Sequence, residues 1–497
     1  MVTSISNVVT LRAATSLPTD QPLYLEGFHT PGDGGEGIFL CRPADTTSDN
    51  KGTIIPDGDG NRWYRQTEGR PYSVKWFGAT GDGATNDRST IQDAIVAVQQ
   101  LPMSGTVWFP AGNYRITGPL FITAAVTLLG AGNRTINGAT RIVPTFMDFH
   151  AIQVMNVNYG VVIRGLDIGP GSAPPGGFGG AAIFLFQCQR VDIDDVNIYN
   201  LWNGVLNDSS GDVYLRRVSI KPADVPFQGT AFRYGILCTA ANRNTPPTAG
   251  NPNLMQCDTV VVNNQGVHEG TVHGFVLADG YNSLTLINCG ALNCAFGRWI
   301  TSNGGVPPAF FVDICGTTDH CSVGWAIDSG DLGNVLQLDN CLCTSSFNEN
   351  YFINSTYVGD AQFTGCRVIK SGSAVQGHGA GFALHGSGNF VLSGCAAYFT
   401  GGHNVAISGA AMVSISGGSF SLPGSSANPD KDSFHIHANA TGSLSIAGVN
   451  QHNASRGMFD DGSTCVIHGQ ALFLVNSITG IDISRNRSNP PSNVSHP

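Results

Sequence analysis

Charge is what this 497-residue sequence has least of: Asp, Glu, Lys and Arg make up 12% of it, against about 25% in an average soluble domain. Five residues are lysine, the formal net charge is −10, and no cluster of Lys and Arg occurs, which excludes the basic footprint that binding to nucleic acid requires. No apolar run approaches the roughly 20 residues needed to cross a bilayer, so no membrane partner is expected. The opening MVTSISNVVTLRAATSLPTD lacks the charged start and continuous apolar core of a secretory signal, and no signal peptide is expected. HExxH, GxSxG, EF-hand and CxxC…CxxC patterns are missing, and GAGNRT at 130–135 departs from the dinucleotide fingerprint GxGxxG. No metal and no cofactor is therefore expected. His435 and His437 share one side of a strand, a spacing common to metal sites and plain polar faces, and are read as a polar face. Thirteen cysteines, an odd number in a large chain, argue against a disulfide framework.

What the chain has instead is glycine, 64 residues of it, and an internal repeat. Short strands alternate apolar and polar residues and end on Gly or Asn followed by Cys or Val. Examples are VVIRGL (161–166), LTLINC (284–289), FFVDIC (310–315), LQLDNC (336–341), AQFTGC (361–366) and FVLSGC (390–395). Aligned on their last residues, Cys289, Cys315, Cys341, Cys366 and Cys395 stand 26, 26, 25 and 29 residues apart. Between them runs a second strand of the form Gly-x-x-apolar-x, as in GRWIT (297–301), GWAID (324–328) and GFALH (381–385). At least two short strands joined by Gly, Asn and Ser turns make one coil, and because no coil buries its apolar side chains alone, stacking creates the core. The expected fold is all-β: a right-handed parallel β-helix, a single-stranded solenoid of about a dozen coils.

Period-2 alternation sends Leu336 and Leu338 inward and Gln337 and Asp339 outward. Equivalent positions on coils ~4.8 Å apart form ladders, and the five cysteines are expected to make one buried ladder of reduced thiols. One interval is anomalous, the 42 residues from Val218 to Val260, where NRNTPPTAGNPN is expected to loop away from the helix.

Residues 1–74 lack the period and are dense in Gly, Asp and Pro, so they are expected to form a small separate module. The solenoid is assigned to 75–480 and a C-terminal tail to 481–497. In DRSTIQDAIVAVQQL, Ile91, Ala94, Ile95, Val98 and Leu101 have helical spacing, and Ser89 with Gln92 fits a capping box. One amphipathic helix before a β-solenoid should cover its open end. The run VKWFGATGDGATNDRSTIQDAI followed by GTVWFPAGNYRITGPL resembles the opening of pectate-lyase-like β-helix domains in phage tailspikes and capsule depolymerases. Upstream, DGGEGIF and DNKGTIIPDGDGNRWYR are similar to the short segment that precedes that domain in tail proteins. The resemblance covers about residues 20–130. It implies a homotrimer on the virion tail or otherwise extracellular, in contact with other tail proteins, whose β-helices bind and cleave a bacterial surface polysaccharide by hydrolysis or β-elimination. A bacterial or prophage-encoded relative and a non-catalytic receptor-binding spike fit the same features.

Glycoside hydrolysis uses two carboxyl groups roughly 5 to 9.5 Å apart. The alignment places Asp313 and Asp339 at one outward position of consecutive coils, with Cα atoms ~4.8 Å apart and pKa values split by their like charges. A second outward ladder, on the Gly-x-x-apolar-x strand, runs from Asp208 to His437 and aligns Asp328, Asn354 and His385 as an acid, an amide and an imidazole on one wall. The turns add Asp319, His320, Glu349, Lys370 and His378. Tyr281, Arg298, Trp299 and Trp325 are near in coil order: aromatic faces stack on sugars and a guanidinium pairs with acidic sugars. Alternation puts Arg298 inside, where it needs a buried partner or marks a bulge. The expected catalytic residues are thus Asp313, Asp339, Asp328 and Glu349. The expected binding residues are Arg298, Trp299, Trp325, Tyr281, His320, His385 and Asn354. Hydrolysis is favoured over elimination because stacked acids are plentiful and lysines scarce. Polar ladders are also the ordinary outer surface of any solenoid.

Overall fold

Coil after coil, an alternating strand ends on a residue with left-handed backbone: Asn288, Asn340, Gly365, Gly394 and Gly417 have φ between 53° and 65°. Asn and Gly tolerate this region best, and the residue bends the chain from one parallel sheet into the next. A second left-handed residue, among them Asn293, Ser345 and Asn453, ends the following strand and starts the return. Repeated, these two bends and a loop give the chain its fold, a mostly β, right-handed parallel solenoid of about 12 turns with a small N-terminal module. The computed structural model describes residues 2–133, 138–170, 179–222, 233–240, 254–264, 272–302, 308–329, 335–371, 379–423, 432–454, 456–475, 479–483 and 494–495. The stretch NRNTPPTAGNPN, His378 and most of 481–497 lie outside them.

The chain divides into two compact units, Met1–Gly204 with Arg216–Val218, and Val205–Leu215 with Ser219–Pro497. In the first, a sheet in the order Thr3–Ile5, Leu23–Leu25, Gly37–Arg42, Arg62–Arg65, Ile54–Pro56 packs Leu23, Leu25, Phe39, Ile55 and Trp63 against helix α1, Val8–Ala13. Helix α2, Arg88–Gln99, buries Ile91, Ala94, Ile95 and Val98. The expected capping box does not form. Asp87 is the N-cap and turns its carboxylate to the backbone N–H groups of Thr80 and Gly81, at 2.7 and 2.9 Å. Gln92 instead pairs with both backbone groups of Phe121, at 2.8 and 2.9 Å, and Gln99 donates to the carbonyl of Ala124 at 2.9 Å. Glutamine side chains thus satisfy the edge strand Leu120–Ile122, which is how the helix closes the solenoid's open end.

In the same unit Arg141, Asp167 and Asn197 stack in register on three coils. Asp167 is fully buried, with one oxygen accepting from Asn197 at 3.0 Å and the other without a partner. Burial raises its pKa to about 6, helped by Asp195 and opposed by Asn197 and Arg141. Because the folded value lies above the unfolded one, the native state holds the extra proton, and stability falls as pH rises from about 4 to about 6. Asp167→Asn, which keeps the acceptor for Asn197, is expected to add about 1–3 kcal/mol at pH 8 and nothing at pH 4. Melting curves at the two pH values check this; an equal shift at both would refute it.

In the second unit each coil has three strands, as in Phe296–Thr301, Phe310–Ile314 and Thr317–Asp319, which we call faces one, two and three. The sequence pattern exposes two of them. The third is three residues long in the coils of Gly290–Leu292, Thr317–Asp319 and Leu342–Thr344, with one inward side chain, Ala291, Thr318 or Cys343, too short to show alternation. Inward columns fill the core. Trp325, Tyr351 and Phe382 stack along face one with centroids 4.6 and 4.8 Å apart.

All thirteen cysteines are free thiols. The expected ladder has four members: Cys289, Cys341, Cys366 and Cys395 are buried, whereas Cys315 is exposed. Cys315 occupies the left-handed bend, with φ 56°, where neighbouring coils have Asn288 and Asn340. The inward position passes to Gly316, whose strand registers Thr317 with Gly290 and Leu342. Sequence alignment on the cysteine slips this one coil by a residue, and a slip of one exchanges inside for outside.

Candidate functional site

The slip overturns the expected acid pair. Asp313 registers with Leu286 and Leu338, not with Asp339, and its side chain is fully buried. Its carboxylate Oδ2 accepts from Arg298 Nε at 2.8 Å and from Trp325 Nε1 at 3.0 Å. Arg298 spends its other nitrogens on the carbonyls of Cys289 and Thr317, at 2.7 and 3.1 Å, and its guanidinium lies over the rings of Phe275 and Trp325. A Cβ on Gly316 would stand 2.2 Å from Asp313 Oδ1, so the glycine that interrupts the cysteine ladder makes room for the carboxylate. Burial raises the pKa of Asp313 and Arg298 opposes the rise; for Arg298, burial lowers the value and Asp313 outweighs it. Asp313, Arg298 and Trp325 are therefore core residues joined by a buried ion pair, not surface groups for a sugar. Tyr281 is also core: fully buried, it donates to the carbonyl of Ser210 at 2.7 Å and accepts from Asn207 at 2.8 Å.

Asp339 does face outward, at the end of face two, but its neighbours across the coils are Ile314 and Thr364, and it accepts from Gln337 at 2.8 Å. It has no carboxyl beside it in that column. His320 stands at the bend after face three, paired with Asp319 at 2.8 Å. Glu349 stands two residues before the face-one strand Tyr351–Ile353, level with Val323, whereas Asp328 follows directly after the strand Val323–Ile327. About five residues of strand, roughly 16 Å, separate those columns, too far for a hydrolytic pair.

What the fold does bring together is the outer wall of face one. At the ends of its strands, Thr301, Asp328, Asn354, His385, Ser408 and His437 follow one another on consecutive coils. Hydrogen bonds tie them into two groups. Trp299 Nε1 donates to Asp328 Oδ2 at 2.6 Å, Asn354 Nδ2 approaches Asp328 Oδ1 at 3.3 Å, and His385 Nδ1 shares a proton with Ser408 Oγ at 2.6 Å. Burial, with help from His437, lowers the pKa of His385 to about 4, so its ring is neutral at neutral pH. Trp299 is half-buried and packs edge-on to Phe296 at 5.2 Å.

Beyond His385 the wall holds His403 and Asp432, which reading the sequence passed over, beside His435 and His437, which it read as a polar face. The rings of His403 and His435 stack at 4.1 Å, His435 meets His437 at 4.5 Å, and His385 lies 5.9 Å from His437. Asp432, fully buried, accepts from His435 Nδ1 at 2.9 Å and lies 3.4 Å from His403 Nδ1. The available signal was density: four of the 13 histidines fall between 385 and 437.

Two known families match parts of this chain. Residues 4–68 match the phage tail protein small four-stranded beta-sheet domain, and residues 72–168 match the rhamnogalacturonase A/epimerase, pectate lyase-like family. The chain thus carries a pectate lyase-like β-helix domain behind a phage tail β-sheet domain. Among individual relatives, mannuronan C5-epimerase AlgE4 of Azotobacter vinelandii is 46% identical over 68 residues, a stretch that spans 12% of this chain and 12% of the epimerase. Pre-mature gene product 12 of bacteriophage phi29 is similar in structure, with a TM-score of 0.60 at 13% identity, over 85% of this chain and 58% of that one. Tailspike protein 3 of bacteriophage CBA120 gives a TM-score of 0.52 at 12% identity, over 92% of this chain and 66% of that one. At such identities the structural likeness is one of fold.

Proposed function

We propose that this chain is a phage tail protein that grips a bacterial surface polysaccharide along face one and cleaves it there. The observation that carries the reading is the outward column from Thr301 to His437, with Trp299 anchored on Asp328 beside it. A glycan laid across the coils meets a hydrogen-bonding side chain about every 4.8 Å, with an indole at one end to take a sugar face. A polysaccharide ligand is further supported by the pectate lyase-like match and by a relative that acts on mannuronan. Placement on the virion tail and contact with other tail proteins are supported by the match over 4–68. The homotrimer implied by the sequence resemblance is part of the same proposal, and light scattering on the purified protein reads it.

Of the two routes to cleavage, elimination fits the wall better than the hydrolysis expected from stacked acids. Asp328 has Thr301 and Asn354 as column neighbours, so hydrolysis lacks a second carboxyl there. His385 is neutral, and in the tautomer that donates Nδ1–H to Ser408 Oγ its Nε2 takes a proton next to a uronate carboxyl. Purified protein incubated with a panel of capsular and O-antigen polysaccharides is expected to release products with the absorbance of an unsaturated uronate. New reducing ends without that absorbance would return the chemistry to hydrolysis. Binding without cleavage would support the receptor-binding spike, and neither binding nor cleavage across the panel would sink the reading.

A further inference from the structure

We propose that His403, Asp432 and His435 form a binding site for a divalent transition-metal ion, zinc above others. Each residue offers one ligand atom, and the three atoms lie within 4.8 Å of one another. The solenoid builds this arrangement from two adjacent coils. His403 stands two residues before the face-one strand Val405–Ile407, and Asp432 and His435 lie three apart on the next, Asp432–Ile436. Register puts His403 beside Asp432, and the stack of the two imidazoles, 27° from parallel, aims both rings along one side of the carboxylate.

Burial makes the cluster more than a polar patch. Asp432 is 0% exposed, and its flanking imidazoles are 16% and 13% exposed, so the packing of the coils holds all three side chains in place. His403 Nδ1 accepts the backbone N–H of Asp432 at 3.0 Å, which fixes that nitrogen as a lone-pair atom facing Asp432 Oδ2 at 3.4 Å. His403 can ligate through Nδ1 by giving up the amide contact, or through Nε2.

The donor set selects the ion. Two imidazoles and one carboxylate suit zinc and its neighbours in the first transition row, whereas calcium and magnesium ask for oxygen ligands throughout. Three protein ligands leave a fourth position of a tetrahedral ion open to water or a substrate oxygen, as in catalytic rather than structural zinc sites. The site lies on the same wall as His385 and His437, yet the proposal stands independently of polysaccharide cleavage, because its test reads metal.

The experiment uses the full chain prepared without a histidine tag, stripped with chelator and titrated with zinc chloride. One zinc per chain is expected by calorimetry and by elemental analysis after gel filtration, with a rise in melting temperature that calcium and magnesium at equal concentration do not produce. Asp432→Asn and, separately, His435→Gln are expected to weaken zinc binding at least tenfold. Should Asp432→Asn fail to fold, His403→Gln supplies the second variant. Cobalt(II) loading is expected to give the visible absorption of a four-coordinate ion, lost in the same variants. Wild-type protein that retains no zinc, or variants that bind it as tightly as wild type, would overturn the proposal and leave a proton bridging His435 and Asp432.

Discussion

Asp313→Asn is expected to destabilise the solenoid by about 3–5 kcal/mol, the usual loss when one partner of a buried ion pair is removed. The asparagine keeps the shape and still accepts a hydrogen bond. It leaves the Arg298 guanidinium, fully buried between Phe275 and Trp325, without a counter-charge. A surface catalytic acid would behave in the opposite way, losing activity at an unchanged melting temperature. Thermal and denaturant unfolding of the variant separate the two. The double variant Arg298→Phe with Asp313→Leu is expected to regain most of the loss, because Phe275 and Trp325 flank Arg298 and Leu286 and Leu338 flank Asp313 in their inward columns. Apolar replacement of a whole buried pair is often neutral or stabilising. A single variant as stable as wild type would mean that the pair does not hold the coil.

His385→Ala is expected to reduce cleavage about 10²–10⁴-fold, the range that a proton-transferring side chain contributes, and Asp328→Asn to reduce it less, each with the melting temperature close to that of wild type. Both residues lie on the outer wall, where no core packing depends on them. Asp328→Asn keeps one acceptor oxygen, which the Trp299 indole can take at the expense of the longer contact from Asn354 Nδ2, so the platform stays anchored while the charge is lost. His385→Ala releases the Ser408 hydroxyl and removes the nitrogen that faces a ligand. Product release by the single variants, measured on whichever polysaccharide the wild type cleaves, is the readout. Activity within a few-fold of wild type in both would move the chemistry off this wall, with Glu349 the next residue to replace.

Most of the wall was legible in the sequence because the Gly-x-x-apolar-x strand keeps one length from coil to coil. Its last residue always lands on the same side, and Asp328, Asn354 and His385 could be aligned by counting. Face two defeated the same approach at one coil. FFVDIC carries its cysteine at the bend, where LQLDNC carries asparagine, and aligning the two cysteines inverted every side chain between Phe310 and Cys315. Arg298 was flagged by its place on an inward column, but nothing near it in the sequence named a partner. Asp313 lies 15 residues away on a different face, and only closure of the coil brings the two to 2.8 Å. The cluster around His435 escaped notice because His403 and Asp432 are 29 residues apart and come together through stacking.

The sequence by itself determined the solenoid, its capping helix and the succession of coils, since these rest on periodicity, which is local and repeats often enough to average out single errors. Which acids face water and which lie in the core was decided only by the tertiary structure. In a β-coil a single residue of register separates inside from outside, and that register is set where neighbouring coils stack, by a bend such as Cys315 and a gap such as Gly316, not by the strand's own alternation.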